Sequence, residues 1–198
     1  MIPDQFKDLV RQTLFQPQEA ARALIEMRLP RQGLWMALAL LSILNSIVYS
    51  LSLQLSPPTD PSASLMPPAF HSPILFAVFL FGALAITVIA LHYVGQGLGG
   101  APGSMDDILV LLTWLQVLRL LVQVGVLVLV LVAPVLGALA VIVAAVWGIY
   151  ILISFVDAAH RFGNMFKAAG VILLSLVAVI AGLSALLSLV GVVVMGGG

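Results

Sequence analysis

Charge is what this chain has least of. Asp, Glu, Lys and Arg make up 8% of its 198 residues, whereas 62% are apolar and the mean hydropathy is +1.21. Soluble domains carry about 25% charged residues. Too little polar surface is left to cover a core, which excludes a soluble globular domain, a disordered chain and a nucleic-acid binder of the basic-patch kind. Cysteine is absent, and with it disulfides, thiolate metal sites and cysteine nucleophiles. Eight basic residues balance eight acidic ones, so net charge implies no polyanionic partner. No region has the polar length to fold as a separate soluble module. What is abundant is apolar sequence in long runs, and the expected fold is all-α: a polytopic membrane helix bundle.

A crossing needs about 20 mostly apolar residues. Spans are predicted at about 34–53, 74–98, 108–131, 135–156 and 168–195, behind a lead-in of residues 1–33. The apolar run from Ile108 to Val156, with Arg119 as its only charge, would make one helix of roughly 73 Å, more than twice a single crossing. It must fold back, and Pro134 and Gly137 place a hairpin at about Val132–Gly137. Strands of a membrane barrel would alternate in polarity, whereas Val124–Val132 is apolar throughout. The lead-in mixes charges of both signs and is not a signal peptide. It reads as two short amphipathic helices. Phe6, Leu9, Val10 and Leu14 form the apolar face of one; the other begins near Pro17, with Arg22 and Glu26 one turn apart. These helices either lie in the headgroup plane or pack on the ends of the bundle.

Basic residues in short flanking loops set orientation. Lys7, Arg11, Arg22, Arg28, Arg31, Arg161 and Lys167 all fall on the N-terminal side of a five-span chain. The opposite side carries no Lys or Arg, and its loop Gln54–Pro73 holds more than half of the prolines. The N-terminus is therefore expected in the cytoplasm and the C-terminus outside. The lipid bilayer is the expected partner, with no nucleic acid, cofactor or metal.

Arg119 lies about halfway along the third span, with Gln116 and Gln123 on its face and Thr113 at the edge. Such a stripe is expected to face the bundle interior or a wet cavity, either as a substrate or ion pathway or lipid-phosphate site or as an interhelical lock with groups such as Asn45. Ser104 and Asp107 spell a helix-capping box, so the carboxylates Asp106 and Asp107 are read as cap and dipole partners and not as catalytic acids. Gly95, Gly97 and Gly100 match a dinucleotide fingerprint as a string but end a membrane helix, so the match is set aside. His71, His92 and His160 lack ligand spacing. Asp157, His160, Arg161 and Lys167 mark a loop on the cytoplasmic side. Ser175, Ala178, Gly182, Ala185 and Ser188 form a small-residue seam for helix packing, within the chain or with another copy or membrane protein. No residues with catalytic roles emerge.

Leu14-Phe-Gln-Pro17 ahead of the first span, the stretch Gly99-Gly-Ala-Pro-Gly-Ser-Met-Asp-Asp-Ile through Gln116, and Trp147-Gly-Ile-Tyr150 followed by the 157–167 loop resemble the Yip1 family, its short bacterial members in particular. The resemblance implies five helices with a cytoplasmic N-terminus in the bacterial inner membrane, and no catalytic residues. Eukaryotic relatives are associated with Rab GTPases, but the Asp-Leu-Tyr-Gly-Pro type of motif and the long polar N-terminal region are missing here, so Rab binding is not implied. The expected function is a non-enzymatic scaffold or membrane-organising protein. The alternative is a small transporter or channel component using the Arg119 stripe.

Overall fold

A computed structural model describes residues 3–55, 72–99 and 104–195. Most of the proline-rich loop, His71 and Gly100 lie outside these. The described residues form seven helices and no strand: α1 (Pro3–Phe15), α2 (Pro17–Glu26), α3 (Arg31–Leu55), α4 (Pro73–Gly97), α5 (Met105–Val132), α6 (Pro134–His160) and α7 (Met165–Met195). Five of them, α3 to α7, are long and apolar enough to cross a membrane. Proline opens α2, α4 and α6, where its missing amide costs no hydrogen bond.

The α5–α6 hairpin is tighter than the six-residue turn predicted from sequence. Only Ala133 leaves the helix, with φ −147° and ψ 83°, and its amide still reaches the Leu129 carbonyl at 2.7 Å. A residue before proline avoids the helical region, so Pro134 makes the break by itself. Gly137 is not a turn residue. It sits inside α6, where a β-carbon would collide with Val130 of α5.

Packing closes the spans into a ring. α3 lies against α4 and α5, α7 against α4 and α6, and α5 against α6. Ser46 of α3 donates to the Pro73 carbonyl at 2.9 Å, fastening α3 to α4. Burial is uneven along the axis. Ile108 to Trp114 of α5 and Ser154 to Asp157 of α6 are buried, as are Val88 and Leu91 of α4. Beyond Arg119 the hairpin changes character: Val124, Val128, Leu131, Leu139, Ile142 and Val146 are all exposed. In lipid this surface needs no further cover, because acyl chains are as apolar as the side chains they meet.

The lead-in packs beside the spans at their buried end and not on top of them. Phe6 meets Trp114 edge-on at 5.6 Å, and the Trp114 indole N–H donates to the Thr13 hydroxyl at 2.9 Å. The Trp147 N–H donates to the Leu14 carbonyl at 3.0 Å. Leu9, Ala20, Ala21 and Leu24 are buried in these contacts. The lead-in thus packs against the bundle, along the sides of α5 and α6 and not on their ends. The Arg22–Glu26 pair does not close; among the described residues the salt bridge is Arg31–Asp106 at 3.4 Å, between two half-exposed groups. Such a surface pair contributes little.

Candidate functional site: the polar end of the bundle and the Arg119 face

Polar chemistry collects where α2, α6 and α7 meet. Asp157, three residues before the end of α6, is buried. Its Oδ2 accepts from the Gln18 side-chain amide at 3.0 Å and its Oδ1 from the Asn164 backbone N–H at 3.0 Å. Its backbone carbonyl accepts from Phe162 N–H at 3.3 Å. One side chain therefore joins the lead-in, the end of α6 and the start of α7. Asn164 continues the chain of contacts by capping α7: its Oδ1 accepts from the Phe166 and Lys167 amides at 2.9 and 3.3 Å. The turn between the helices needs two left-handed residues, Arg161 at φ 53° and Gly163 at φ 61°. The conformation is free for glycine and costs another residue roughly 1–2 kcal/mol.

His160, one turn from Val156, is fully buried. Its Nδ1–H donates to the Val156 carbonyl at 3.1 Å, and its ring stacks on Phe162 at 5.3 Å. Its Nε2 is buried without a partner and faces Gly95 of α4, where a β-carbon would overlap the imidazole. Gly95 is thus a packing residue. Gly97 meets open space at the last position of α4, and Gly99, outside the string, turns the chain at φ 77°; of the two described glycines that imitate a nucleotide fingerprint, one ends a helix and the other admits a histidine. At the start of α5 the Ser104 hydroxyl accepts from Asp107 N–H at 3.1 Å and the Asp107 carboxylate from Ser104 N–H at 3.0 Å, a complete capping box.

The predicted stripe is divided between environments. Asn45, Thr113 and Gln116 are buried, Gln123 is half-buried, and Arg119, placed by sequence in the interior, is exposed. Thr113 satisfies itself on the Leu109 carbonyl at 2.7 Å and lines an apolar groove of about 230 Å³ with Leu24 and Leu34. The polar tie between α3 and α5 comes from Asn45, whose amide donates to the Leu41 carbonyl at 2.8 Å and reaches the Gln116 carbonyl at 3.4 Å. Arg119 has no part in it. Leu112 and Leu115, on the same side of α5, face Leu91 of α4 and Phe155 of α6. Arg119 follows them on that side, where the packing opens.

Its position along the helix is as expected: α5 runs Met105–Val132, and Arg119 is the fifteenth of its 28 residues, about halfway along. Arg119→Leu is expected to change the unfolding free energy in detergent by no more than about 0.5 kcal/mol, as for an exposed residue without partners. A loss of several kcal/mol would mean that it locks helices together after all.

The Yip1 domain model matches residues 11–195, nearly the whole chain. The chain belongs to the Yip1 family. No curated protein and no solved structure matches it significantly. The match begins at Arg11 of α1, so the Yip1 domain here takes in most of the lead-in together with the five spans. It is a multi-pass membrane protein whose apolar helices contact lipid. Three features of this Yip1 chain were not read from sequence: the clasp of Gln18 on Asp157, the indole bonds to α1, and the fit of His160 under Gly95. Only the glycine offered a signal, and its string resemblance pointed elsewhere.

The small-residue seam of α7 is used in part. Ser175 is buried, and Gly182 lets Ile86 of α4 approach. Ala178, Ala185 and Ser188 are exposed.

Proposed function

We propose that this Yip1 protein is a non-enzymatic component of a bacterial inner membrane that acts by binding, with its N-terminus in the cytoplasm and its C-terminus in the periplasm. It presents the lead-in and the 157–167 turn to a cytoplasmic or membrane partner as one pre-shaped surface. The observation that carries this reading is the Asp157 clasp, which ties α2, α6 and α7 through two side-chain hydrogen bonds. A fastened surface loses less entropy on binding than a free amphipathic tail. The seven basic residues flanking the spans on that side support the orientation. Affinity purification from mild detergent, followed by mass spectrometry, tests the reading. A reproducible partner should be retained by the wild type and depleted by Gln18→Ala. Recovery of the same proteins with both, or of none beyond a control membrane protein, would contradict it.

A transporter or channel component is the second reading, favoured by Arg119 exposed on the α4–α6 side and by the buried, unpartnered amide oxygens of Gln116 and Gln123. It requires solute flux into liposomes that falls with Arg119→Leu.

A further inference from the structure

Beside the Asp157 clasp is a cavity of about 290 Å³, walled by Gln18 and Arg22 of α2, Asp157 and Arg161 at the end of α6, and Gly163 and Met165 leading into α7. Both oxygens of Asp157 are already engaged, one by Gln18 and one by the Asn164 amide. Neither donor is an arginine, and among the described residues Asp157 forms no ion pair with Arg22 or Arg161. Arg22 has Glu19 and Glu26 on neighbouring turns of its own helix, yet among the described residues the salt bridge is Arg31–Asp106. Two guanidiniums thus border a polar hollow that contains one occupied carboxylate, a net excess of one positive charge.

We propose that this cavity is a binding site for a phosphate-bearing anion, with Arg22 and Arg161 as the paired ligands. Guanidinium forks match the oxygens of a phosphate in geometry as well as charge. The backbone supports the assignment. Arg161 occupies the left-handed position that ends α6, where glycine is the low-cost residue, and this places its side chain at the cavity. Strain retained at a position whose side chain lines a site points from the outlier to a use. Location favours a lipid headgroup as the source. The cavity lies where two membrane helices end, and beside it Phe166 is 90% exposed, opening an exposed stripe on α7 that continues through Leu173 and Val177. A headgroup held by the arginines would leave its acyl chains along that stripe. The site stands whether or not the protein is a scaffold.

Native mass spectrometry of the purified full chain in mild detergent tests this, using phosphatidylglycerol, phosphatidylcholine and inorganic phosphate as probes. The wild type should retain one phosphatidylglycerol in preference to phosphatidylcholine. Arg22→Gln with Arg161→Gln should weaken that binding at least tenfold, and Lys7→Gln with Arg11→Gln, the same loss of charge elsewhere on the surface, should leave it within twofold. Competition by millimolar inorganic phosphate would identify a free anion as the ligand; its absence would identify the headgroup. Arg161→Gly guards against a folding artefact: relieving the left-handed residue should hold or raise the Tm while phosphatidylglycerol binding falls several-fold. Equal binding by the wild type and the double arginine variant, or an equal loss in the Lys7/Arg11 control, would overturn the proposal.

Discussion

Replacing Gly95 by alanine is expected to destabilise the bundle by about 2–3 kcal/mol, the upper part of the range for forcing an extra carbon into a packed interior. The added β-carbon would fall on the imidazole of His160. The ring cannot readily move away: it is fully buried, bonded to the Val156 carbonyl at 3.1 Å and stacked on Phe162. Thermal unfolding in detergent, followed by tryptophan fluorescence, should register a clear fall in Tm. Shortening the ring side should restore part of it, so that Gly95→Ala with His160→Ala is less destabilised than the sum of the single changes. Additive losses would show that the two residues are not in contact.

Asp157→Ala should cost a similar amount, about 3 kcal/mol, for a different reason. Hydrogen bonds to a charged group contribute roughly 1.5–3 kcal/mol each, and a donor left without its acceptor keeps its desolvation cost. The alanine would strand both the Gln18 amide and the Asn164 N–H. Asp157→Asn should be milder, about 1 kcal/mol, since its carbonyl can still accept from Asn164 and the Gln18 amide can turn over to present its oxygen. Hydrogen exchange should quicken at Asn164 and through α2 in the alanine variant, while the far half of α5 stays unchanged. Faster exchange confined to the α6–α7 turn would mean that Asp157 does not hold the lead-in.

These two residues show what could and could not be read in advance. The spans were legible because hydrocarbon demands about 20 apolar residues per crossing, and the hairpin because Pro134 cannot continue a helix. The Ser104–Asp107 cap is a local pattern and equally readable. Contacts between distant segments were not. Gln18 meets Asp157 across 139 residues, and Gly95 meets His160 between two helices that are apolar on nearly every face. In a soluble protein the buried face of a helix is marked by being apolar beside a polar one, whereas in lipid both faces are greasy and the mark disappears. For the same reason the polar stripe of α5 was legible only in part: Gln116, Arg119 and Gln123 share a face with Thr113 at its edge, yet Thr113 and Gln116 are buried, Gln123 is half-buried and Arg119 is exposed.

The native absence of cysteine makes the orientation of the five crossings directly measurable. Single cysteines at Arg28, Gln54 and Lys167, all exposed, can be challenged in intact cells with a membrane-impermeant maleimide. Five crossings with the basic ends in the cytoplasm predict labelling of Gln54→Cys alone, with Arg28→Cys and Lys167→Cys reacting only after permeabilisation. Labelling of Lys167→Cys from outside, or reaction of Arg28→Cys and Gln54→Cys from the same side, would contradict the account.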